Sequence, residues 1–317
     1  MRDVITIGDA MVAFNPATQG PMRFVSTFER KVGGAELNTA IGCARLGLQS
    51  GWISALGKDE FGRYIHNFAR GEGVDVSEVT FTEAYPTSLN FKEFRGDGRI
   101  NTTYYRHPSP FLALSPEDLN EDYIKSSRIL HITGLLPGVD AEHNIPIIKQ
   151  AISLAKKHGV KVSFDPNIRL KLWTKDEART HLSALLPDVD ILLAGDEEME
   201  IILGTKDANE IISQAKELGI SYVAIKKGAA GSVGYHDGEM VEAPPIPPSQ
   251  VVDTVGAGDG FNAGILYGII HSWPLEKTLH FANLIGSKVV SVKGDNEGLP
   301  FLEDVLLDLE EKERVDR

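Results

Sequence analysis

The stretch DTVGAGDGF (253–261) combines the residue types of a phosphate-binding loop with a carboxylate. Gly256 and Gly258 come just before or within the start of a predicted helix, where backbone N–H groups and the positive helix end favour an anion. Asp259 brings a negative charge to the same place, and that charge would repel a permanently bound phosphate. Phosphoryl transfer reconciles the two features, because an aspartate accepts the proton of the attacking hydroxyl while nearby donors stabilise the transferred group.

This chemistry predicts that Asp259 is a general base with a low pKa, since a helix N-terminus favours the ionised form of a carboxylate. The N–H groups of Gly256, Ala257 and Gly258 would stabilise the charge that develops on the transferred group. A purely structural interpretation makes Asp259 a helix cap and the glycines a tight turn. Spacing alone leaves both interpretations open.

Two other glycine-rich schemes fit the sequence less well. A P-loop requires four residues between its glycines and a hydroxyl after the lysine, whereas GWISALGKD (51–59) has five residues and Asp59 at those places. A dinucleotide fingerprint requires a third glycine after an early strand. GAGDGF has Phe261 at that position and lies near the opposite end of the chain.

Composition narrows the class of protein. The 317 residues carry a formal net charge of −13, which disfavours a nucleic-acid partner because such binding requires a basic face. The single cysteine, Cys43, excludes an intrachain disulfide and fits a reducing compartment. The N-terminus lacks the apolar core of a signal peptide, and no apolar run approaches the ~20 residues of a membrane span. We therefore expect a cytoplasmic protein with a small-molecule substrate and no membrane partner.

Short apolar runs alternate with helical patterns and predict the scaffold of the site. The predicted strands are VITIG (4–8), ILHIT (129–133), VKVSFD (160–165), ILLAG (191–195) and YVAIKKG (222–228). Such alternation indicates a parallel sheet with helices on both faces, and Thr174 is the expected cap of one helix. Residues 10–32 and 86–106 break the rhythm, and the second segment reads as two strands joined by GDG. We predict a single domain over 1–317 with these segments as a small β lid.

The chain resembles the ribokinase-like, or phosphofructokinase-B type, carbohydrate kinases. DTVGAGDGF is similar to their C-terminal signature, and GGAELNTAIGCARLG (33–47) is similar to their N-terminal one. The segments ITIGDAMV, DPNIR and KKGAAGS also match, so the resemblance covers essentially the whole chain. It implies a three-layer αβα fold with a mostly parallel central sheet and a β lid. It also implies that ATP and Mg²⁺ are cofactors, and it leaves a monovalent-cation requirement open.

The resemblance assigns roles to positions of this sequence. Asp259 matches the catalytic base, and Gly256, Ala257 and Gly258 match the anion hole. The positions that match sugar contacts are Asp9, Gly34 and Asn38. The positions that match nucleotide contacts are Asn167, Arg169, Lys226, Gly228, Gly231, Gly256, Gly258 and Asn283. Glu198 matches a residue that places Mg²⁺ through water, but Gly195 replaces the usual asparagine, and Asp196 or Glu197 is a possible substitute for it.

The identity of the sugar depends on the lid. TYYRHPS places Tyr104, Tyr105 and Arg106 together, and DPNIRLKLW supplies Arg169. Two arginines favour a substrate with a carboxylate, because guanidinium binds carboxylate through two parallel hydrogen bonds. The lid is most similar to that of the 2-keto-3-deoxygluconate kinases, which phosphorylate the terminal hydroxyl of a six-carbon keto acid. This resemblance also makes Asp295 a substrate contact.

Several alternatives stay open at this point. Fructokinases of the same family also carry a tyrosine–arginine pair on the lid, and a non-catalytic sugar or nucleotide sensor could use the same fold. Arg106 has a structural interpretation as a surface residue paired with an acid, and Arg169 has one as a contact to the ATP phosphates. Because lid strands expose edges that require covering, we expect a homodimer formed through the lid.

Overall fold

A computed structural model describes residues 1–95 and 100–315, without the side chains of Ile100 and of 309–315. The predicted GDG turn (96–98) therefore lies outside the described residues. The strands are β1 (Arg2–Ile7), β2 (Met11–Pro16), β3 (Phe28–Gly33), β4 (Ser50–Gly57), β5 (Val79–Thr82), β6 (Ser88–Phe94), β7 (Ile100–Tyr105), β8 (Ser127–Thr133), β9 (Lys161–Asp165), β10 (Ile191–Gly195), β11 (Tyr222–Lys226), β12 (Ser232–His236) and β13 (Glu239–Ala243).

The helices follow the strands in the order that the sequence pattern predicts. They are α1 (Ala35–Arg45), α2 (Glu60–Gly71), α3 (Glu121–Lys125), α4 (Leu135–Val139), α5 (Ala141–Lys157), α6 (Lys175–Ser183), α7 (Asp196–Leu203), α8 (Ala208–Glu217), α9 (Ala257–Ile270), α10 (Leu275–Val289) and α11 (Leu302–Val315). Thr174 caps α6 as expected, because its hydroxyl accepts the backbone N–H of Glu177 at 3.3 Å. In the described part of the chain, no helix is long and apolar enough to cross a membrane.

The larger sheet contains nine of the described strands in the order β13–β12–β11–β10–β9–β8–β1–β4–β5. The pairs from β11 to β5 are parallel, whereas β12 and β13 pair antiparallel at one end. Strand β4 is buried along its whole length, as expected where helices cover both faces of a sheet. One apolar core contains Phe164, and the core on the other face contains Trp52. The predicted mostly parallel α/β fold is confirmed.

The carboxyl ends of the central strands meet at one edge of this sheet, because parallel strands run in the same direction. That edge carries Asp165 at the end of β9, Gly195 at the end of β10 and Lys226 at the end of β11. Helix α9 packs between α1 and α10. Chemically reactive residues from distant parts of the sequence therefore lie at one side of the sheet.

The predicted lid is a separate sheet in the order β3–β2–β6–β7, with β2 and β6 parallel and the outer pairs antiparallel. Strand β6 alternates, so Ser88, Asn90 and Lys92 are buried on one face. The opposite face carries aromatic rings, and Phe14 stacks on Phe91 with centroids 4.8 Å apart. The lid thus has a polar inner face and an aromatic outer face. That both sheets form a single domain over 1–317 stays a prediction.

Candidate active site

A cavity of about 680 Å³ lies between the inner face of the lid and the carboxyl edge of the larger sheet. Most of the residues predicted from the sequence line it. They are Gly34, Asn38, Tyr104, Arg106, Asn167, Arg169, Glu198, Lys226, Gly256, Gly258, Asp259 and Asp295. The fold therefore brings together residues that are up to 261 positions apart, as 34 and 295 are.

Asp259 lies in the first turn of α9 and is only 7% exposed. Its Oδ2 accepts the side-chain amide of Asn38 at 2.8 Å. Burial raises the pKa of Asp259 to about 7; the hydrogen bond from Asn38 opposes this rise, and the neighbouring carboxylate of Asp165 adds to it. The predicted low pKa is wrong, because the cost of burying the charge exceeds the benefit of the helix end.

The start of α9 supplies N–H groups beside this carboxylate. The N–H groups of the first helical turn have no acceptor within their own helix. Gly256 precedes the helix at φ +80°, and a Cβ at this position would lie 1.9 Å from the carbonyl oxygen of Asp295. A Cβ at Gly258 would lie 3.6 Å from the Nζ of Lys226. Backbone donors and a cation therefore reach the same part of the cavity, as an anion-binding role for 256–258 requires.

Lys226 is held in place by two residues that the sequence analysis did not select. Its Nζ donates to Oδ2 of Asp165 at 2.8 Å, and the amide of Asn262 donates to the same oxygen at 2.6 Å. Burial alone would lower the pKa of Lys226, but the carboxylates of Asp165 and Glu198 raise it, so the ammonium stays charged. Asp165 opens DPNIR and Asn262 follows GDGF, so a search of the positions flanking these motifs would have found them.

The lid contributes alternate residues of β6 and β7. Asn90 pairs with Tyr104 and Lys92 with Thr102, and all four line the cavity. Tyr105 is 62% exposed and packs against Phe91 on the outer face. Tyr105 thus lies on the face opposite to Tyr104, because adjacent residues of a strand face opposite sides, and its contact with substrate stays a prediction.

Lys92 is a cavity residue that the sequence analysis missed. It is buried on the inner face of the lid, and its Nζ donates to Oδ1 of Asp295 at 2.8 Å. The alternation in SLNFKEF was the available signal, because a lysine at an inward position of a strand requires a partner. The predicted site residue Asp295 is therefore joined to the lid by a buried ion pair.

Arg106 follows β7 and lines the cavity, but its charge is already paired. Its Nε donates to Oδ2 of Asp9 at 2.9 Å, and Nη2 donates to the other oxygen. Asp9 is 1% exposed and also accepts the hydroxyl of Ser109 at 3.3 Å. Asp9 is thus buried and holds Arg106, and its role as an acceptor of a sugar hydroxyl stays a prediction. The structural interpretation of Arg106 correctly predicted an acidic partner, but it wrongly predicted a position on the surface, since Arg106 is buried.

Arg169 has a different environment. It lies exposed in the loop after β9, lines the cavity and lowers the pKa of Asp259 by its charge. Among the side chains of residues 1–95 and 101–308, no carboxylate lies within salt-bridge distance of its guanidinium. Arg169 therefore offers the cavity a positive charge that is not neutralised by an ion pair.

The remaining residues predicted for the nucleotide lie outside the cavity lining. Gly231 has φ +89°, and a Cβ there would lie 2.3 Å from the carbonyl oxygen of Ala243. Asn283 donates to the carbonyl of Pro244 at 3.0 Å. Both residues thus hold the segment after β13 in place. A nucleotide role for them, and for Gly228 in the same turn as Gly231, stays a prediction.

The described side chains of the cavity could supply only part of the coordination of a metal ion, so water and substrate phosphates would have to supply most of it. Among the residues that the structure describes, no group of three or more His, Cys, Asp or Glu side chains is placed to bind one. Glu198 lines the cavity, and its two oxygens accept the N–H groups of Gly195 at 2.7 Å and Ile168 at 2.9 Å. Asp196 and Glu197 do not line it. One carboxylate beside a phosphate site fits Mg²⁺, which keeps several waters and binds substrate phosphates.

Comparisons with known proteins bear on the family and the fold of the chain. The model of the pfkB family of carbohydrate kinases matches residues 1–302. A 2-dehydro-3-deoxygluconokinase from Bacillus subtilis (strain 168) is 35% identical over 307 residues, which cover 94% of this chain and 92% of that protein. A 5-dehydro-2-deoxygluconokinase from Halalkalibacterium halodurans is 30% identical over 319 residues, with 99% and 96% covered. The crystal structure of a putative ribokinase II from E. coli in complex with ATP and Mg²⁺ has a TM-score of 0.91 and 25% identity, covering 98% of this chain and 100% of that one.

The raised pKa of Asp259 predicts a stability effect with a defined pH dependence. An unfolded aspartate releases its proton near pH 4, whereas the folded carboxyl holds it up to about pH 7. The folded state therefore loses stability as pH rises through this interval. We expect Asp259→Asn to raise the Tm by roughly 3–6 °C at pH 8.5 and by less at pH 5, measured by calorimetry. An equal change in Tm at both pH values would contradict the raised pKa.

Proposed function

Because the chain belongs to the pfkB family of carbohydrate kinases, we propose that it transfers the γ-phosphoryl group of ATP to the terminal hydroxyl of 2-dehydro-3-deoxygluconate. This substrate is also called 2-keto-3-deoxygluconate. The observation that carries the proposal is the position of the buried Asp259 carboxylate beside the N-terminus of α9 and the ammonium of Lys226. A base and an anion site in one cavity are what phosphoryl transfer to a hydroxyl requires.

In the proposed reaction, the terminal hydroxyl of the sugar attacks the γ-phosphorus of ATP and gives its proton to Asp259. A new oxygen–phosphorus bond forms, the bond to the bridging oxygen breaks, and ADP leaves. The N–H groups of 256–258 and the ammonium of Lys226 stabilise the negative charge on the transferred group. Glu198 would hold Mg²⁺ through water, and the ion would supply positive charge against the phosphates.

The raised pKa of Asp259 suits this role. A base is most effective when its pKa lies near the operating pH, since it is then ionised and still takes up a proton readily. Asn38 donates to the carboxylate, and Arg169 and Lys226 lower its pKa by their charge, so the ionised form is accessible near neutral pH. Burial keeps bulk water away from the phosphoryl group, which limits hydrolysis of ATP.

The charges that line the cavity support a substrate with a carboxylate. Arg106 is paired with Asp9 and Lys92 with Asp295, whereas Arg169 and Lys171 line the cavity without an ion pair to a described side chain. A bound carboxylate would give Arg169 its partner through two parallel hydrogen bonds. The names of the Bacillus subtilis and Halalkalibacterium halodurans relatives both describe kinases of deoxy keto acids.

Two other compounds are alternative substrates to 2-dehydro-3-deoxygluconate. The Halalkalibacterium halodurans relative makes 5-dehydro-2-deoxygluconate an alternative with the same carboxylate. Fructose, which the sequence analysis left open, is neutral and would leave Arg169 unpaired. The non-catalytic sensor is not proposed, since the chain belongs to a family of kinases and retains a candidate base in its cavity.

We also propose that two copies of the chain associate through the lid. Strands β3 and β7 are edges of the lid sheet, and its outer face carries the exposed ring of Tyr105 and the stacked Phe14 and Phe91. An edge strand with an exposed aromatic ring, such as Tyr105 on β7, favours pairing with another chain. Light scattering of the purified protein should give twice the mass of one chain, and Tyr105→Arg should lower that mass to one chain. A monomeric wild-type protein would exclude the dimer.

Removing the base should abolish turnover while leaving nucleotide binding largely intact. Asp259→Ala and Asp259→Asn are expected to lower kcat by several orders of magnitude, because no other group accepts the proton of the hydroxyl. Nucleotide affinity, measured by calorimetry with ATP and Mg²⁺, should change little, since Asp259 does not bind the nucleotide in this mechanism. Near-normal turnover in either variant would exclude Asp259 as the base.

The substrate proposal is tested by a kinase screen with 2-dehydro-3-deoxygluconate, 5-dehydro-2-deoxygluconate, fructose and ribose. We expect the highest kcat/KM with the first compound. Arg169→Ala should raise KM for the acids by about tenfold or more and change KM for fructose much less, because one charged hydrogen-bonded contact is lost. Lys149→Ala, on the exposed face of α5, is the matched control and should change neither value. Equal effects of Arg169→Ala on acid and neutral sugar would remove the carboxylate argument.

A further inference from the structure

A short segment before α11 joins the lid to the active site. Three consecutive side chains, Asp295, Asn296 and Glu297, each contact a strand of the lid. Asp295 accepts the ammonium of Lys92 on β6, and Glu297 lies 3.2 Å from the Nζ of Lys31 on β3. Asn296, the middle residue, is fully buried and reaches both the lid and a residue that contacts Asp259.

The side-chain amide of Asn296 makes two contacts through its nitrogen. Nδ2 donates to the carbonyl oxygen of Val32 on β3 at 2.8 Å and to Oδ1 of Asn38 at 3.3 Å. Asn38 in turn donates its own Nδ2 to Oδ2 of Asp259 at 2.8 Å. A chain of hydrogen bonds thus runs from the backbone of the lid to the carboxylate.

The two ends of this chain determine the orientation of both amides. A backbone carbonyl only accepts, so Asn296 must present its nitrogen to Val32. The same nitrogen then faces Asn38, which must present its oxygen to it and its nitrogen to Asp259. If Asn296 did not supply this donor, the amide of Asn38 could rotate and present its oxygen to the carboxylate, which would repel it.

We propose that Asn296 is a positioning residue, which holds the amide of Asn38 in the orientation that donates to Asp259 and so makes the ionisation of the base depend on strand β3 of the lid. The inference rests on the proposed role of Asp259 as the general base. Asn296 itself does not touch the carboxylate. Its effect passes through Asn38, and its connection to the lid passes through Val32.

Loss of this orientation has a definite consequence for the base. The hydrogen bond from Asn38 favours the ionised carboxylate, so losing it raises the pKa of Asp259. The charged groups that act on Asp259 are Asp165, Arg169 and Lys226, from β9, the loop after it and β11. The side-chain hydrogen bonds that Asn296 makes with described residues involve none of these three groups, so a change at Asn296 should leave their influence unaltered.

The test is the pH profile of kcat/KM, measured with the best sugar from the substrate screen. Asn296→Ala and Asn296→Leu both remove the donor, and the second nearly keeps the size of the side chain without adding a charge. We expect the acid limb of the profile to move up by about one pH unit in each variant. Asn38→Ala should move it at least as far, and Asn38→Ala combined with Asn296→Ala should move it no further than Asn38→Ala alone, because both act through one hydrogen bond.

The matched control is Asn144→Ala. Asn144 is a buried asparagine of α5 whose amide donates to the carbonyl of Leu136 at 2.8 Å, away from the cavity. This change should lower the Tm and leave the acid limb where it is. If Asn296→Ala does not fold, Asn296→Leu carries the test, and Tm is measured for every variant so that instability is separated from a pH shift.

Two results would overturn the positioning role. One is an unchanged acid limb in a folded Asn296 variant, and the other is an additive shift in the double variant. Asp259→Asn, measured in the same series, separates this failure from failure of the proposed function. If Asp259→Asn is inactive and the Asn296 variants have unshifted profiles, only the positioning role is wrong. If Asp259→Asn keeps its turnover, the base assignment fails as well.

Discussion

The whole site depends on one unfavourable feature, a carboxylate buried at the start of α9. Moving Asp259 out of water raises its pKa to about 7. The residues of the cavity therefore have to stabilise the ionised carboxylate in place of water for the group to act as a base. Asn38 stabilises the ionised carboxylate through a hydrogen bond, and Arg169 and Lys226 stabilise it through their charge. The balance leaves a base whose pKa lies near neutrality, which is the condition for proton transfer in both directions.

The lid supplies the other half of the site through two buried ion pairs, Arg106 with Asp9 and Lys92 with Asp295. Burying such pairs contributes little net stability, but breaking one leaves an uncompensated charge, so they strongly define the position of the lid. They also neutralise two cations that would otherwise compete for an anionic substrate. In the proposed function, the N–H groups of 256–258 and the charge of Arg169 are separate places for phosphate and carboxylate.

The sequence predicted those parts of the molecule that local pattern controls. Alternating apolar runs indicated the parallel sheet, and two segments that broke the rhythm indicated the lid. Lys92, Asp165, Asn262 and Asn296 were missed because their roles come from contacts between distant parts of the chain, for example 203 positions between Lys92 and Asp295. Tyr105 lies on the outer face of β7 and Tyr104 on the inner face, which the alternation of side chains along a strand already indicates. The prediction of a low pKa for Asp259 was wrong, because the position of a residue in a helix is visible in a sequence and its burial is not.

A crystal structure of the enzyme with 2-dehydro-3-deoxygluconate and a non-hydrolysable ATP analogue would test the arrangement of base, substrate and phosphate. The terminal hydroxyl should lie within hydrogen-bond distance of a carboxylate oxygen of Asp259, roughly 2.6–3.2 Å, and in line with the γ-phosphorus. The γ-phosphate oxygens should accept N–H groups of 256–258, and the substrate carboxylate should contact Arg169. A terminal hydroxyl bound to another side chain, or a γ-phosphate away from the start of α9, would contradict the assignment of Asp259 as the base.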